Sequence, residues 1–142
     1  EFNQPIGNWD VSSVTRTDNM FYSNHSFNQP IGNWDVSNVT IMESMFHDAR
    51  GFNQDISSWN VSNVTDFDRM FHHAHTFNQD ISSWNILSAT QMGRMFMAAK
   101  AFNQDLSGWD LSGLSTNSCL YFSESTDAWE ASKKPDTSGC GG

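Results

Sequence analysis

Residues 27–46 read FNQPIGNWDVSNVTIMESMF, and this phrase decides the fold because the chain repeats it every 25 residues. The repeat opens with Phe-Asn-Gln in five places, at Phe2, Phe27, Phe52, Phe77 and Phe102. A fixed period of roughly 20 to 50 residues is typical of units that cannot bury an apolar face alone and therefore stack on their neighbours. The sequence predicts five stacked units whose function lies along an extended surface.

The first half of each unit has the apolar spacing of a leucine-rich-repeat strand. In the second unit the apolar residues are Ile31, Trp34, Val36 and Val39, and the other units repeat these columns. Alternation of apolar and polar residues from the Trp to the first Val is the period of a strand with one buried face. We expect a short strand in this half of every unit.

The second half of each unit has the spacing of a short amphipathic helix. Its apolar residues in the second unit are Met42, Met45, Phe46 and Ala49, which fall on one face of a helix. The candidate N-caps are Thr15, Thr40, Thr65 and Thr90. In three units an acidic residue follows the Thr by three positions, as a capping box or its Asp variant requires.

Together these halves predict an α/β fold, a right-handed leucine-rich-repeat solenoid of five 25-residue coils with short parallel strands on one face and short helices on the other. We place this solenoid at residues 1–126 and a C-terminal cap or tail at residues 127–142. The Asn of each Phe-Asn-Gln triplet is expected to form a structural ladder between coils, because a buried amide must find hydrogen-bond partners. The ladder comprises Asn3, Asn28, Asn53, Asn78 and Asn103.

Composition restricts the partners of the chain. Its 142 residues carry a formal net charge of −9, which opposes binding to phosphate backbones, so we expect no nucleic-acid partner. No apolar run approaches the roughly 18 residues that a membrane-spanning helix needs, so we expect no membrane insertion within this chain. A first residue, Glu1, that directly precedes a repeat suggests a mature product or a piece of a longer array.

Both cysteines lie near the C-terminal end of the chain. Cys119 falls in the divergent last unit and Cys140 in the tail. A disulfide between them would clamp the tail over the last core layer, contribute roughly 3 kcal/mol and imply an oxidising, extracellular location. The alternative is two unpaired thiols.

The repeated phrase resembles the BspA-type leucine-rich repeats of bacterial and protist surface proteins. The resemblance covers residues 2 to 122, and the last copy departs from it where Leu114-Ser115 replaces Val-Thr and Leu120-Tyr121 replaces Met-Phe. It implies an extracellular or cell-surface location and adhesion to an extracellular protein or another cell-surface ligand. It implies no catalytic residues, and no Ser, His and acid grouping in the sequence identifies a site, so we expect no enzyme.

The exposed face of the predicted strands is the candidate ligand-binding surface. Its central column holds Asp10, Asp35, Asn60, Asn85 and Asp110, with Asn8 and Asn33 on one side and Ser12 and Ser37 on the other. Neighbouring parallel strands lie about 4.8 Å apart, so these side chains would form a narrow acidic strip suited to a basic or polar partner. The alternative is that they are merely solvated turn residues.

Three further hypotheses remain open. Asp10 and Asp35 on adjacent coils could share a calcium ion, the one candidate cofactor, although calcium needs six to eight oxygen ligands. The chain could instead be a structural spacer within a larger surface protein, which needs no special strip. His47 and His72 share a column, with His73 and His75 nearby, but they lack a clear fourth ligand and are read as an exposed cluster.

Overall fold

The computed structural model describes residues 2–140 and contains almost no regular secondary structure. Its helices are three short 3-10 helices, at Thr116–Ser118, Ala131–Lys133 and Ser138–Cys140. The only strand-like pairings among the described residues are single parallel bridges, Arg16 to Ile41, Ile41 to Asp66 and Asp66 to Gln91. The predicted α/β leucine-rich-repeat solenoid, with parallel strands on one face and helices on the other, is therefore wrong.

The 25-residue units nevertheless stack, and backbone hydrogen bonds join each unit to the next. In the second half of the first unit, the amides of Thr17, Asn19, Phe21 and Ser23 donate to carbonyls of the second unit over 2.7–3.0 Å. The amides between them donate within the unit, as from Met20 to the carbonyl of Thr17. Amides that donate to the next unit thus alternate with amides that donate within their own unit, whereas in a helix they would all donate within the helix.

Left-handed residues explain why this half is not helical. Among residues 2–140, ten non-glycine residues have φ between 54° and 58°, two in each unit, beginning with Asn19 and Ser23 and ending with Tyr121 and Ser125. Each one breaks the run of right-handed residues that a helix needs. In the first four units the amide of the left-handed residue itself donates to the following unit, as from Asn19 to the carbonyl of Glu43, whereas the next amide bonds within its own unit. The predicted N-cap threonines have another role, since the carbonyl of Thr15 accepts the amide of Thr40.

Tight turns replace the predicted strand in the first half. In the first unit the amide of Trp9 donates to the carbonyl of Ile6, and the amide of Val14 donates to the carbonyl of Val11. Asp10 lies between these two turns, so the chain forms a corner where an extended strand was expected. The alternation of apolar and polar side chains comes from this corner, because Val11 points into the core and Asp10 is exposed.

Aromatic side chains form the core that runs through all units. Phe27, Phe52, Phe77 and Phe102 lie in one column with ring centroids 5.8–6.0 Å apart. A second Phe column packs against the first, and the centroids of Phe46 and Phe52 are 3.9 Å apart. These rings are fully buried, so a few large side chains per unit supply the apolar burial.

Two ladders of polar side chains satisfy the interior of the stack. The predicted Asn ladder is confirmed: the Asn53 side-chain oxygen accepts the amide of Asn78 over 2.9 Å and the side chain of Gln79 over 3.0 Å. Indole N–H groups form the second ladder, as where Trp59 donates to the carbonyl of Ile31 over 3.1 Å. Each unit therefore meets the polar groups of its neighbour as well as its rings.

The last unit is two residues longer than the others. Its left-handed residue Tyr121 lies 27 positions after Arg94, which itself lies 25 positions after Arg69. The extra residues coincide with the 3-10 helix Thr116–Ser118. Trp129 then takes the place that Phe102 has in the preceding unit, and the two ring centroids lie 4.7 Å apart.

A disulfide between Cys119 and Cys140 closes the C-terminal end, which confirms the predicted pairing over the alternative of free thiols. Both cysteines are buried. Trp129, which lies between them in the sequence, is also buried, with only 4% of its surface exposed. Residues 1, 141 and 142, which belong to the predicted segments 1–126 and 127–142, lie outside the described residues. Within residues 2–140 no helix has the length and apolarity to span a bilayer.

Glycine at a left-handed position is expected to stabilise the fold. Ser125 is exposed and has φ of 57°. A residue other than glycine in the left-handed conformation costs roughly 1–2 kcal/mol, and a change to glycine removes this strain. The greater entropy of glycine in the unfolded chain offsets roughly 0.5–1 kcal/mol of that gain. We expect Ser125→Gly to raise the free energy of unfolding by about 0.5 kcal/mol, measured by urea denaturation.

The matched control is Ser88→Gly, at an exposed serine outside the left-handed set. That change brings the entropic cost without the relief, so it is expected to lower stability. Equal effects of the two substitutions would contradict the role given to the left-handed residues.

Candidate binding surface

The acidic strip, the name used here for Asp10, Asp35, Asn60, Asn85 and Asp110, forms a row of exposed corners. All five side chains are exposed, and all five make the same Asx turn, in which the side-chain oxygen accepts the amide two residues on. The donor–acceptor distances are 2.9–3.2 Å. The structure thus places these residues in one column, on corners rather than on strands.

The flanking serines hold the corner carboxylates in fixed positions. The hydroxyls of Ser12 and Ser37 donate to the carboxylates of Asp10 and Asp35, each over 2.6 Å. The hydroxyl and then the amide of these serines hold the pKa of Asp10 and of Asp35 below the usual range, although the charge of Asp10 opposes this at Asp35. Ser112 lowers the pKa of Asp110 in the same way. The three carboxylates are therefore ionised at neutral pH.

Asn8 and Asn33, the predicted flank on the other side, occupy the turn that precedes each corner. Both are exposed. In the third unit the equivalent residue, Ser58, donates its hydroxyl to the carbonyl of Gly32 over 3.0 Å, which links two units across this side of the strip. These positions frame the acidic strip, and Asn8 and Asn33 remain a predicted part of the binding surface.

A second acidic column escaped the sequence analysis. Asp55, Asp80 and Asp105 form Asx turns with Ser57, Ser82 and Ser107, with amide-to-carboxylate distances of 2.9–3.0 Å. The signal was available, because Asp-x-Ser spacing recurs here as it does in the strip. The first two units carry proline at this position, which interrupts the column.

The fit of Asp10 and Asp35 to calcium is poor. One oxygen of each carboxylate already accepts two hydrogen bonds from its serine. No group of three or more His, Cys, Asp or Glu side chains in the described part of the chain is arranged to hold a metal ion. Backbone carbonyls and hydroxyls would have to supply most of the six to eight oxygens that calcium requires.

The histidines form a half-buried cluster between units, not the exposed cluster that the sequence suggested. Ring centroids lie 4.5 Å apart for His47 and His72, 4.4 Å for His72 and His73, and 5.7 Å for His73 and His75. Both ring nitrogens of His72 are buried without a hydrogen-bond partner. Burial, together with the neighbouring His47 and His73, lowers the pKa of His72 to about 4. This ring is neutral at physiological pH.

Acidification is expected to destabilise the stack through this cluster. The unfolded chain takes up a proton at His72 near pH 6.5, whereas the folded chain does so only near pH 4. The unfolded state binds more protons between these values, so stability is lost as pH falls from about 6.5 to about 4. With the partial exposure of the ring taken into account, the loss from His72 is about 1–2 kcal/mol.

Urea denaturation at several pH values measures this loss, and His72→Met is the matched variant because Met97 occupies the same column one unit later. The variant should show a shallower fall in stability between pH 6.5 and 4. Asp48 does not account for a loss in this window. Although burial opposes the shift, Arg50 and His25 lower the pKa of Asp48 from 3.8 to about 2, so its contribution to stability is lost mainly below pH 4. An unchanged slope in the variant would contradict the assignment.

Comparison with known proteins gives a family but no characterised relative. No curated protein and no solved structure matches the chain. One family matches twice, over residues 1–74 and over residues 42–134, and the overlap of the two matches agrees with a chain built from repeated units. The chain therefore belongs to the family described as Mycoplasma protein of unknown function, DUF285.

Proposed function

We propose that this chain is an extracellular or cell-surface protein-binding module that presents the acidic strip to a basic partner. The observation that carries the proposal is the repetition of one exposed Asx corner in all five units. Since each corner is fixed by its own hydrogen bonds, the carboxylates are held in place before a partner arrives, which reduces the entropy lost on binding.

Charge supports a basic partner over an acidic one. The chain has a formal net charge of −9, and the strip itself contains no basic residue. Electrostatic complementarity raises association rates and excludes partners of like charge. A protein or peptide rich in Lys and Arg would meet carboxylates at both ends of the strip and amides in its middle.

The location rests on the disulfide and on the repeated phrase. A disulfide between Cys119 and Cys140 is typical of proteins that mature outside the cytosol. The resemblance of the phrase to BspA-type surface proteins favours the same location and an adhesive role. The resemblance lies in the sequence of the phrase and not in leucine-rich-repeat geometry, which the fold does not have.

Selection from a phage-displayed library of random dodecapeptides tests the proposal. The test variant carries Asp10→Asn, Asp35→Asn and Asp110→Asn, which removes three charges and keeps the corners, because Asn60 already forms the same turn. We expect wild type to enrich peptides rich in Lys and Arg, and the variant to bind them about tenfold more weakly.

The matched control carries Asp55→Asn, Asp80→Asn and Asp105→Asn, which removes the same charge from the second acidic column. Equal losses in both variants would show that net charge and not the strip attracts the peptides. A structural spacer would enrich no basic peptides at all. Repeating the selection with calcium and with EDTA tests the calcium-dependent alternative, which requires binding to vanish in EDTA.

A further inference from the structure

One position beside the acidic strip departs from the pattern. The residue two positions after the corner is leucine in the fourth unit, Leu87, and serine in the other four units. Leu87 is 78% exposed. The backbone is unchanged, because the amide of Leu87 still donates to Asn85 over 3.1 Å. The corner therefore presents a large apolar group where every other unit presents a hydroxyl.

A groove opens directly beside Leu87, between the fourth and fifth units. Its volume is about 210 Å³, and its lining includes Leu87, Ala89, Met92 and Leu114 together with Asp110 at the strip. Met92 is fully buried and Ala89 is partly buried. An apolar side chain that entered from the strip would thus meet apolar walls, with the carboxylate of Asp110 beside it.

The groove exists because the fourth and fifth units lack side chains that the earlier units have. The Asn38 side chain donates to the carbonyl of Ser12 over 2.8 Å, and Asn63 repeats this bridge to Ser37 over 2.7 Å. In the fifth unit the equivalent residue is Gly113, which has no side chain to bridge to Leu87.

The other contacts along this interface are also weaker. Ala89 stands where the first three units have valine, and the parallel bridges between units end at Gln91. The same interface leaves the indole N–H of Trp109 buried without a partner. The fourth and fifth units are therefore less tightly joined at the strip than the first three units are.

Charge selects the kind of side chain that accompanies the apolar one. No Lys or Arg lines the groove, whereas Asp110 does. The serine hydroxyl and amide two residues on keep this carboxylate ionised at neutral pH. A cationic side chain next to the apolar one would therefore find a partner of opposite charge.

We propose that this groove is a specificity pocket for a polypeptide segment in which an aliphatic side chain precedes a Lys or Arg. The aliphatic side chain lies between Leu87 and Leu114, and the cationic group pairs with Asp110. This inference rests on the proposed function, since it names the partner chemistry at one part of the acidic strip.

NMR titration of the isotope-labelled chain with short synthetic peptides tests the pocket. The probe is a Gly/Ser hexapeptide that contains Leu-Lys, and its matched controls contain Ala-Lys and Leu-Gln. We expect shifts at Leu87, Asp110 and Gly113, with the Leu-Lys peptide about tenfold tighter than Ala-Lys, because three fewer carbon atoms are buried by the control.

Two variants close or remove the pocket without touching Asp110. Leu87→Ser restores the serine of the other units. Gly113→Asn restores the bridging amide, and a Cβ at Gly113 meets no atom within 4 Å, so the side chain has room. Each should weaken the Leu-Lys peptide about tenfold and leave Ala-Lys unchanged. Asp110→Asn should remove the preference for Leu-Lys over Leu-Gln.

Equal Leu-Lys binding by wild type and by both pocket variants overturns the inference, as do shifts confined to other units. The double variant Asp10→Asn, Asp35→Asn, which leaves the groove intact, separates this result from the proposed function. If the double variant loses binding of basic peptides while the pocket variants bind Leu-Lys as wild type does, the proposed function stands and the specificity pocket is ruled out. If the pocket variants lose Leu-Lys binding while the double variant keeps its binding of basic peptides, the pocket stands and the role of Asp10 and Asp35 is ruled out.

Discussion

Replacing Phe71 with alanine is expected to lower the free energy of unfolding by about 4 kcal/mol. The ring is fully buried at the centre of the stack. Its centroid lies 5.7 Å from that of Phe46, 5.5 Å from that of Phe96 and 4.0 Å from that of Phe77. Truncation to alanine therefore removes contacts with three rings. Rigid neighbours on both sides limit the collapse of the cavity, which places the cost in the upper part of the usual range.

Urea denaturation measures this loss, and Phe2→Ala supplies the control. Phe2 opens the first unit and is 44% exposed, and its ring stacks on that of Phe27 with the centroids 6.2 Å apart. The control should cost about 1 kcal/mol. Similar losses in the two variants would show that stacked rings are not the main source of stability.

Reduction of the disulfide is expected to lower the free energy of unfolding by about 3 kcal/mol. Cys119 and Cys140 are 21 residues apart, and a crosslink of this span removes a large part of the freedom of the unfolded segment. It also holds Trp129 over the last core layer, where its ring lies 5.2 Å from Phe96. We therefore expect reduction to expose Trp129 before the rest of the chain unfolds.

Urea denaturation with and without a reducing agent measures the loss. Because the chain has six Trp, the difference in fluorescence between wild type and a Trp129→Phe variant follows the tail. The double variant Cys119→Ala, Cys140→Ala should show the reduced stability in both conditions, since it has no bond to break. If the reducing agent destabilised the double variant as much as the wild type, its effect would be unrelated to the disulfide.

The sequence predicted what depends on the repeat and failed where the local backbone matters. The 25-residue period, the buried columns and the Asn ladder follow from residue spacing, and all of these are present. The disulfide, predicted from the position of both cysteines near the C-terminal end, is also present. The helix prediction failed because Met42, Met45, Phe46 and Ala49 have a spacing that successive turns produce as well. Spacing reports which side chains are buried and not where the backbone amides donate.

Residue type gave only a faint warning of the left-handed positions. Asn19 and Asp48 are of types that accept positive φ readily, but Ser23, Arg69 and Ala98 at equivalent positions are not. Contacts between units override local preference there.

For the acidic strip, exposure was predicted correctly and geometry was not, because an Asx corner alternates apolar and polar residues as a strand does. The substitutions beside the groove, Leu87 and Gly113, can be read from the aligned units, but the space between them is visible only once the units are stacked.

Alternate amides that point towards the neighbouring unit give the molecule a direction. In its second half, each of the first four units donates amides to carbonyls of the following unit, so one middle unit can follow another with the same contacts. Removing residues 52–76 would join Gly51 to Phe77 and restore an equivalent contact, whereas removing one residue would misalign every bond beyond it. The length of such a protein can therefore change only in whole units of 25 residues, and the acidic strip gains or loses one corner with each unit.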